Sequence, residues 1–229
     1  MIFSRRFLLL GGLACILVAV TMTGVCSSLP VASAGGSDPD QELMDAASSG
    51  NVPAVGDALR RGADINARTR FGNTPLIWAV NQGHVRVVRT LLSAGADPDA
   101  ANTNGITPLM TATLTGEVKI ARFLLASGAD ANAASKARMT ALILAAGRDN
   151  PPLVRLLLHH GARIDQKDGE GRTPLMWAAL TGDRELVRLL LNSGADPELR
   201  DRDGKRAGDL VRAIHPRLAA LIDSWKKRS

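Results

Sequence analysis

The sequence predicts an all-α solenoid of stacked helix-turn-helix units, and three observations carry that prediction. A Gly-Ala-Asp motif, or a near variant, recurs at a step of 33 residues: GADINA from Gly62, GADPDA from Gly95, GADANA from Gly128, GARIDQ from Gly161 and GADPEL from Gly194. A second motif keeps that step, with GNTPLIWAV from Gly72, GITPLMTAT from Gly105, RMTALILAA from Arg138 and GRTPLMWAA from Gly171. Between them lie leucine-rich runs, VVRTLL from Val87, IARFLL from Ile120 and LVRLLL from both Leu153 and Leu186. A fixed period means that each unit buries its apolar face on its neighbours instead of closing a single core.

The first segment, residues 1–34, reads as an export signal rather than as structure. Arg5-Arg6 is the positive end, Phe7 to Val20 the apolar stretch, and Ala32-Ser33-Ala34 a small-residue cleavage site. Ser4-Arg5-Arg6 before Phe7-Leu8-Leu9 partly matches a twin-arginine signal, so general secretion and twin-arginine export both stay open. Either route implies a bacterial, exported protein with a mature start at Gly35. Cys15 and Cys26 both lie in the segment to be removed, so the mature chain is expected to hold no disulfide, thiolate metal site or cysteine nucleophile. Leu13-Ala14-Cys15 loosely suggests a lipid-attachment box, which leaves a lipidated or uncleaved anchor as the alternative. Residues 35–40 read as a short linker.

Each repeat then reads as a turn and two short helices. Thr74-Pro75, Thr107-Pro108 and Thr173-Pro174 start the first helix: Thr caps the free amides, and Pro lacks an amide that would go unpaired there. Leu76, Ala79 and Val80 follow at helical spacing, as do Leu175, Ala178 and Ala179. Gly83, Gly116 and Gly182 stop the first helix, and Gly95, Gly128, Gly161 and Gly194 stop the second. The repeats are placed at 70–102, 103–135, 136–168 and 169–201, between an N-terminal cap at 41–69 and a C-terminal cap at 202–229. The 136–168 repeat departs from its siblings. Ala141 replaces Pro, Arg138 replaces the turn Gly, and Asp149-Asn150-Pro151-Pro152 separates its helices. A double Pro cannot lie inside a helix, so the second helix starts at or after Pro151. Neutral variation in a tolerant loop explains this, and so does a break in stack curvature that shapes a binding site.

These units resemble the ankyrin repeat: a Thr-Pro-Leu helix start, a second helix with paired leucines, then Gly-Ala-Asp. The resemblance runs from about Gln41 to Ser229. Where the family often has His after Thr-Pro-Leu, this chain has Ile77, Met110, Ile143 and Met176, which predicts apolar packing in place of a hydrogen bond. The resemblance implies an ankyrin-repeat solenoid with short β-turn fingers, which binds partners through its finger tips and the outer surface of its first helices. Carried over position by position, that gives Arg68, Arg70, Phe71, Asn73, Asn81 and Gln82 in the first full repeat and Asn104, Ile106, Leu114 and Thr115 in the next. It gives Lys136, Met139 and Arg148 in the third, and Glu170, Arg172, Leu180 and Thr181 in the fourth. Phe71, Ile106, Leu114 and Met139 are apolar there, so they either form an exposed docking patch or fold down onto neighbouring turns. Trp78 and Trp177 are expected to be partly buried.

Composition narrows the function classes. The chain has 28 Lys and Arg against 22 Asp and Glu, net +6, and Arg89, Arg122, Arg155 and Arg188 recur at one position of the second helix. That ladder reads as a solvated outer face. Aromatic content of 3% and the absence of Tyr argue against a stacking platform for single-stranded nucleic acid. His159 and His160 are adjacent and diverge by about 100° on a helix, so they do not share a metal. Asp201-Arg202-Asp203-Gly204 lacks the acidic positions of a calcium loop, and neither H-E-x-x-H nor G-x-S-x-G occurs. The expectation is a non-catalytic protein-binding module in the bacterial periplasm that protects or inhibits one exported partner. It is expected to have no cofactor, metal, nucleic-acid ligand or small-molecule substrate, and to touch a membrane only if the signal stays attached or is lipidated. An enzyme is the distant alternative.

Overall fold

In the computed structural model, residues 38–225 are described, and residues 1–37 and 226–229 lie outside that range. The described residues form twelve helices and no strand. Six antiparallel pairs follow in order: α1 (Pro39–Ser49) with α2 (Val52–Arg60), α3 (Pro75–Asn81) with α4 (Val85–Ser93), and α5 (Pro108–Thr115) with α6 (Val118–Ala126). Then come α7 (Ala141–Gly147) with α8 (Pro151–His159), α9 (Pro174–Thr181) with α10 (Arg184–Asn192), and α11 (Ala207–Val211) with α12 (Pro216–Asp223).

The start signals act as read. Thr74, Thr107, Thr140 and Thr173 each accept a hydrogen bond from the backbone N–H three residues on, at 3.2 to 3.4 Å. Thr140 caps α7 although Ala141 stands where its siblings have Pro. Helix α8 begins at Pro151, with the Asn150 side chain accepting from Leu153 N at 3.1 Å. The N-terminal cap differs from the expected linker: α1 starts at Pro39, inside 35–40, because Asp38-Pro39 supplies a cap and a first-turn Pro. In the C-terminal cap, Arg206 replaces the capping Thr, and Asp209 instead accepts from the Arg206 backbone N–H at 3.1 Å.

The core runs along the stack. Leu76, Leu109, Leu142 and Leu175 of the first helices are buried, as are Leu91, Leu124, Leu157 and Leu190 of the second. Each such burial stabilises by about 1.5–3 kcal/mol before entropy is counted. Ile77, Met110, Ile143 and Met176 are buried as expected of apolar packing. First helices pack on one another more closely than second helices do, and second-helix packing thins beyond α8. Closer spacing on one side curves a solenoid toward that side, so the first helices line the concave surface.

Candidate protein-binding surface

The fingers are hydrogen-bonded turns, each organised by one short polar residue at its base. Asn102 Oδ1 accepts from Asn104 N and Ile106 N, Asp168 Oδ1 from Glu170 N and Arg172 N, and Asp201 Oδ1 from Asp203 N and Lys205 N, all at 2.8 to 3.0 Å. Thr69 and Ser135 do half of this, accepting from Asn73 N and Met139 N at 3.2 Å. Adjacent fingers are then joined through the backbone: Thr103 N to Phe71 O, Lys136 N to Asn104 O, Gly169 N to Ala137 O and Arg202 N to Glu170 O, each 3.0 Å. Short side chains carry a second inter-repeat link behind the fingers. Asn66, Asp99, Asn132 and Asp165 accept from the N–H of Asp97, Asp130, Arg163 and Asp196 at 2.7 to 3.0 Å. Burial raises the Asp99 carboxyl above its ordinary value, against the opposing pull of the Asp130 N–H.

With the turns closed and joined in this way, the finger tips are rigid mounts for side chains that point outward. Phe71 is 51% exposed, and the Arg70 guanidinium lies over its ring at 4.5 Å. Arg68, Gln82, Asn104, Lys136 and Arg148 are exposed, and Asn81, Leu180 and Thr181 half-buried. Some of the predicted residues hold the stack together. The Arg68 guanidinium donates to Ala101 O at 2.7 Å, and Asn73 Oδ1 accepts from Asn102 Nδ2 at 3.1 Å. Arg172 is half-buried, with its guanidinium 5.6 Å from the Trp177 ring.

The four-residue exposed apolar patch does not form. Ile106 and Met139 are each 4% exposed and Leu114 6%. Ile106 and Met139 stand at the finger base, where their N–H closes the turn and the next residue is the buried capping Thr. That geometry turns their side chains into the core and leaves the tip to the residues before them. Leu114 is buried within the stacked first helices, where Gly147 holds the same register on α7. Trp78 keeps a partly exposed edge, but Trp177 does not: it is 3% exposed, and its Nε1–H donates to Asp168 Oδ2 at 2.8 Å. Only a carboxylate at position 168 accepts both the turn amides and this indole, a pairing that no local motif announced.

A family described as "Ankyrin repeats (3 copies)" matches residues 43–135 and 128–201. The chain belongs to the ankyrin-repeat family. No curated protein matches it. Ankyrin repeats indicate a protein–protein interaction module, and their fold is typically a non-catalytic binding scaffold.

Elsewhere on this ankyrin stack, the convex arginines behave as a solvated row. Arg89 lies 5.4 Å over the Phe123 ring, Arg188 pairs with Glu185 at 3.6 Å, and Arg122 and Arg155 are exposed. The C-terminal cap is tied by Arg206 to Asp209 and Glu198, and by Arg212 to Asp209 and Asp223. Hydrogen bonds from Arg206 and Arg212 hold the Asp209 carboxyl well below the usual carboxylate range. Among the described residues no group of three His, Cys, Asp or Glu side chains could hold a metal ion, and no helix is long and apolar enough to cross a membrane.

Proposed function

We propose that this chain is a non-catalytic module that binds one exported protein in the bacterial periplasm and protects or inhibits it. The observation that carries the binding face is Phe71. In a stack that buries nearly every large apolar side chain, it stands out into solvent on a finger fixed by backbone hydrogen bonds, under a stacked arginine. A few anchors of this kind supply most of the energy of an interface. The compartment rests on the Arg5-Arg6, apolar stretch and Ala32-Ser33-Ala34 order, which lies outside the described residues.

Two experiments test the reading. Sequencing the N-terminus of native protein should give Gly35; a start at Cys15 means lipidation, and an intact Met1 means a retained anchor. Pull-down of periplasmic proteins should recover one partner whose affinity falls by about 2 kcal/mol or more in Phe71→Ala, with the helical signal unchanged. Ile106 cannot serve in such a variant, because it is core. A partner held at wild-type strength by Phe71→Ala moves the binding face elsewhere.

A further inference from the structure

The fold sorts charge into two lines. On the finger side, Arg70, Lys136 and Arg202 share one register and are all exposed. Behind the fingers, Asp64, Asp97, Asp130 and Asp196 share another. Acidic residues enter the fingers only toward the C-terminal end, at Asp168, Glu170, Asp201 and Asp203. From residue 68 to residue 73 and from 101 to 106 and 134 to 139, the fingers hold Arg68, Arg70, Lys136 and Arg138 and no carboxylate. Arg68 with Arg70, and Lys136 with Arg138, share a finger, and the finger between them carries no charge, so an extended segment along the concave edge meets two basic clusters two units apart.

Arg138 supplies a second, independent observation. It stands at the register of Gly72, Gly105 and Gly171, and its φ is +59°, where a side chain is strained and glycine is not. It is exposed, and among its four repeat siblings at that register the chain departs from glycine only here. Strain held at a surface position that glycine would relieve marks a side chain kept for something other than folding. Opposite it, Gly169 takes the place that Thr103, Lys136 and Arg202 hold in the other fingers.

We propose that the fingers spanning residues 68–139 bind an acidic polypeptide segment, with an apolar side chain of that segment on Phe71 and its carboxylates against Arg70, Lys136 and Arg138. This rests on the concave face being the binding face, and it names the partner's chemistry. A protein segment suits this surface better than an anionic membrane, because a flat bilayer cannot follow a concave edge. The test uses the purified full chain at low salt with labelled poly-glutamate, a Glu-Leu copolymer of equal length, and phosphatidylglycerol vesicles. Both polymers should bind, the copolymer more tightly and dependent on Phe71. Reversing Arg70, Lys136 and Arg138 to Glu should weaken binding about tenfold. Reversing Arg89, Arg122 and Arg155, an equal change in net charge, should alter it by less than about twofold. Arg138→Gly alone should weaken polymer binding about threefold without lowering the unfolding midpoint. Equal losses in the two triple variants would reduce the effect to net charge and overturn the proposal, as would vesicle binding without polymer binding. A lowered midpoint in Arg138→Gly would make that arginine structural and overturn its role. If neither polymer binds while a native partner still depends on Phe71, the acidic chemistry fails and the concave face stands.

Discussion

Repeats 103–135 and 136–168 follow the same path with different residues at its turning points. Gly105 at φ +75° becomes Arg138 at +59°, and Gly116 at +79° becomes Asp149 at +54°. These two are the non-glycine residues with positive φ among those described, and both fall in one repeat. The backbone link from finger to finger survives unchanged at 3.0 Å on both sides, Lys136 N to Asn104 O and Gly169 N to Ala137 O. The stack therefore dictates the backbone, and the local residue bends to it at a cost of about 1–2 kcal/mol per left-handed non-glycine. Part of that cost is offset nearby. Asn150 caps α8 through its side chain and Pro151 fills the first turn, whereas Glu117 makes no side-chain cap for α6. A side-chain cap of this kind is worth about 1 kcal/mol.

The largest test compares Leu124 and Leu157, which hold one register and are both fully buried. Replacing either by Ala should cost about 2–5 kcal/mol. The consequences should differ in cooperativity, because units couple only to neighbours and second-helix packing thins beyond α8, leaving α7 on α9 to hold that junction. Leu157→Ala should separate the transitions reported by Trp177 and Trp78 fluorescence, with Trp177 first, while Leu124→Ala should move them together. An unchanged midpoint in Leu157→Ala would contradict its core position, and coincident transitions would contradict the loose junction.

A smaller loss should follow from giving 103–135 its neighbour's turn. A Cβ at Gly105 would lie 3.0 Å from Lys136 N and 3.1 Å from the Ser135 Cα, backbone atoms that cannot swing aside. Gly105→Arg combines that crowding with left-handed strain and should cost about 2–4 kcal/mol in chemical denaturation. Position 138 faces Gly169, so no side chain adds to the backbone crowding there, as the Thr103 Cγ2 at 3.2 Å would for a Cβ at Gly72. Gly169→Thr should therefore cost more with Arg138 in place than in the Arg138→Gly background, and additivity of the two changes would break the pairing.

Much of this was legible in the sequence. The 33-residue step placed the helices, the Thr residues marked their starts, and Pro151 set the start of α8. The side-chain directions at the fingers were not legible, because a turn's fold, not its period, decides them. One register holds Asn73, Ile106, Met139 and Arg172, and only the closed turn shows that this place faces inward at 106 and 139. The links between Trp177 and Asp168, and between Asn102 and Asn73, join residues that no spacing rule pairs. They also explain why the turn base is amide in one repeat and carboxylate in another. Asn102 needs a donor toward Asn73 Oδ1, and Asp168 needs an acceptor for the Trp177 indole. Asp168→Asn should thus cost about 1–3 kcal/mol by facing an amide N–H toward the indole N–H unless the amide turns and abandons the turn amides. A wild-type midpoint with an unshifted Trp177 emission would refute that account.

The smallest effect should have the opposite sign. Arg138→Gly removes left-handed strain of about 1–2 kcal/mol and gives back about 0.5–1 kcal/mol of backbone freedom to the unfolded chain. The difference favours the variant by about 0.5–1 kcal/mol. Among the described residues no hydrogen bond or ion pair of the Arg138 side chain stands against that gain, and its turn is held by backbone atoms, Arg138 N donating to Ser135 O at 2.8 Å. Glycine keeps that donor. Asp149→Gly is the harder comparison, because Asp149 has a further interaction, so strain relief there is set against whatever part of it the side chain carries. The two variants measured side by side should rank Arg138→Gly as the more stabilising. If Arg138→Gly instead lowers the urea midpoint, the strain in the 136–168 repeat is not what distinguishes it from 103–135, and the arginine at that turn is part of the fold.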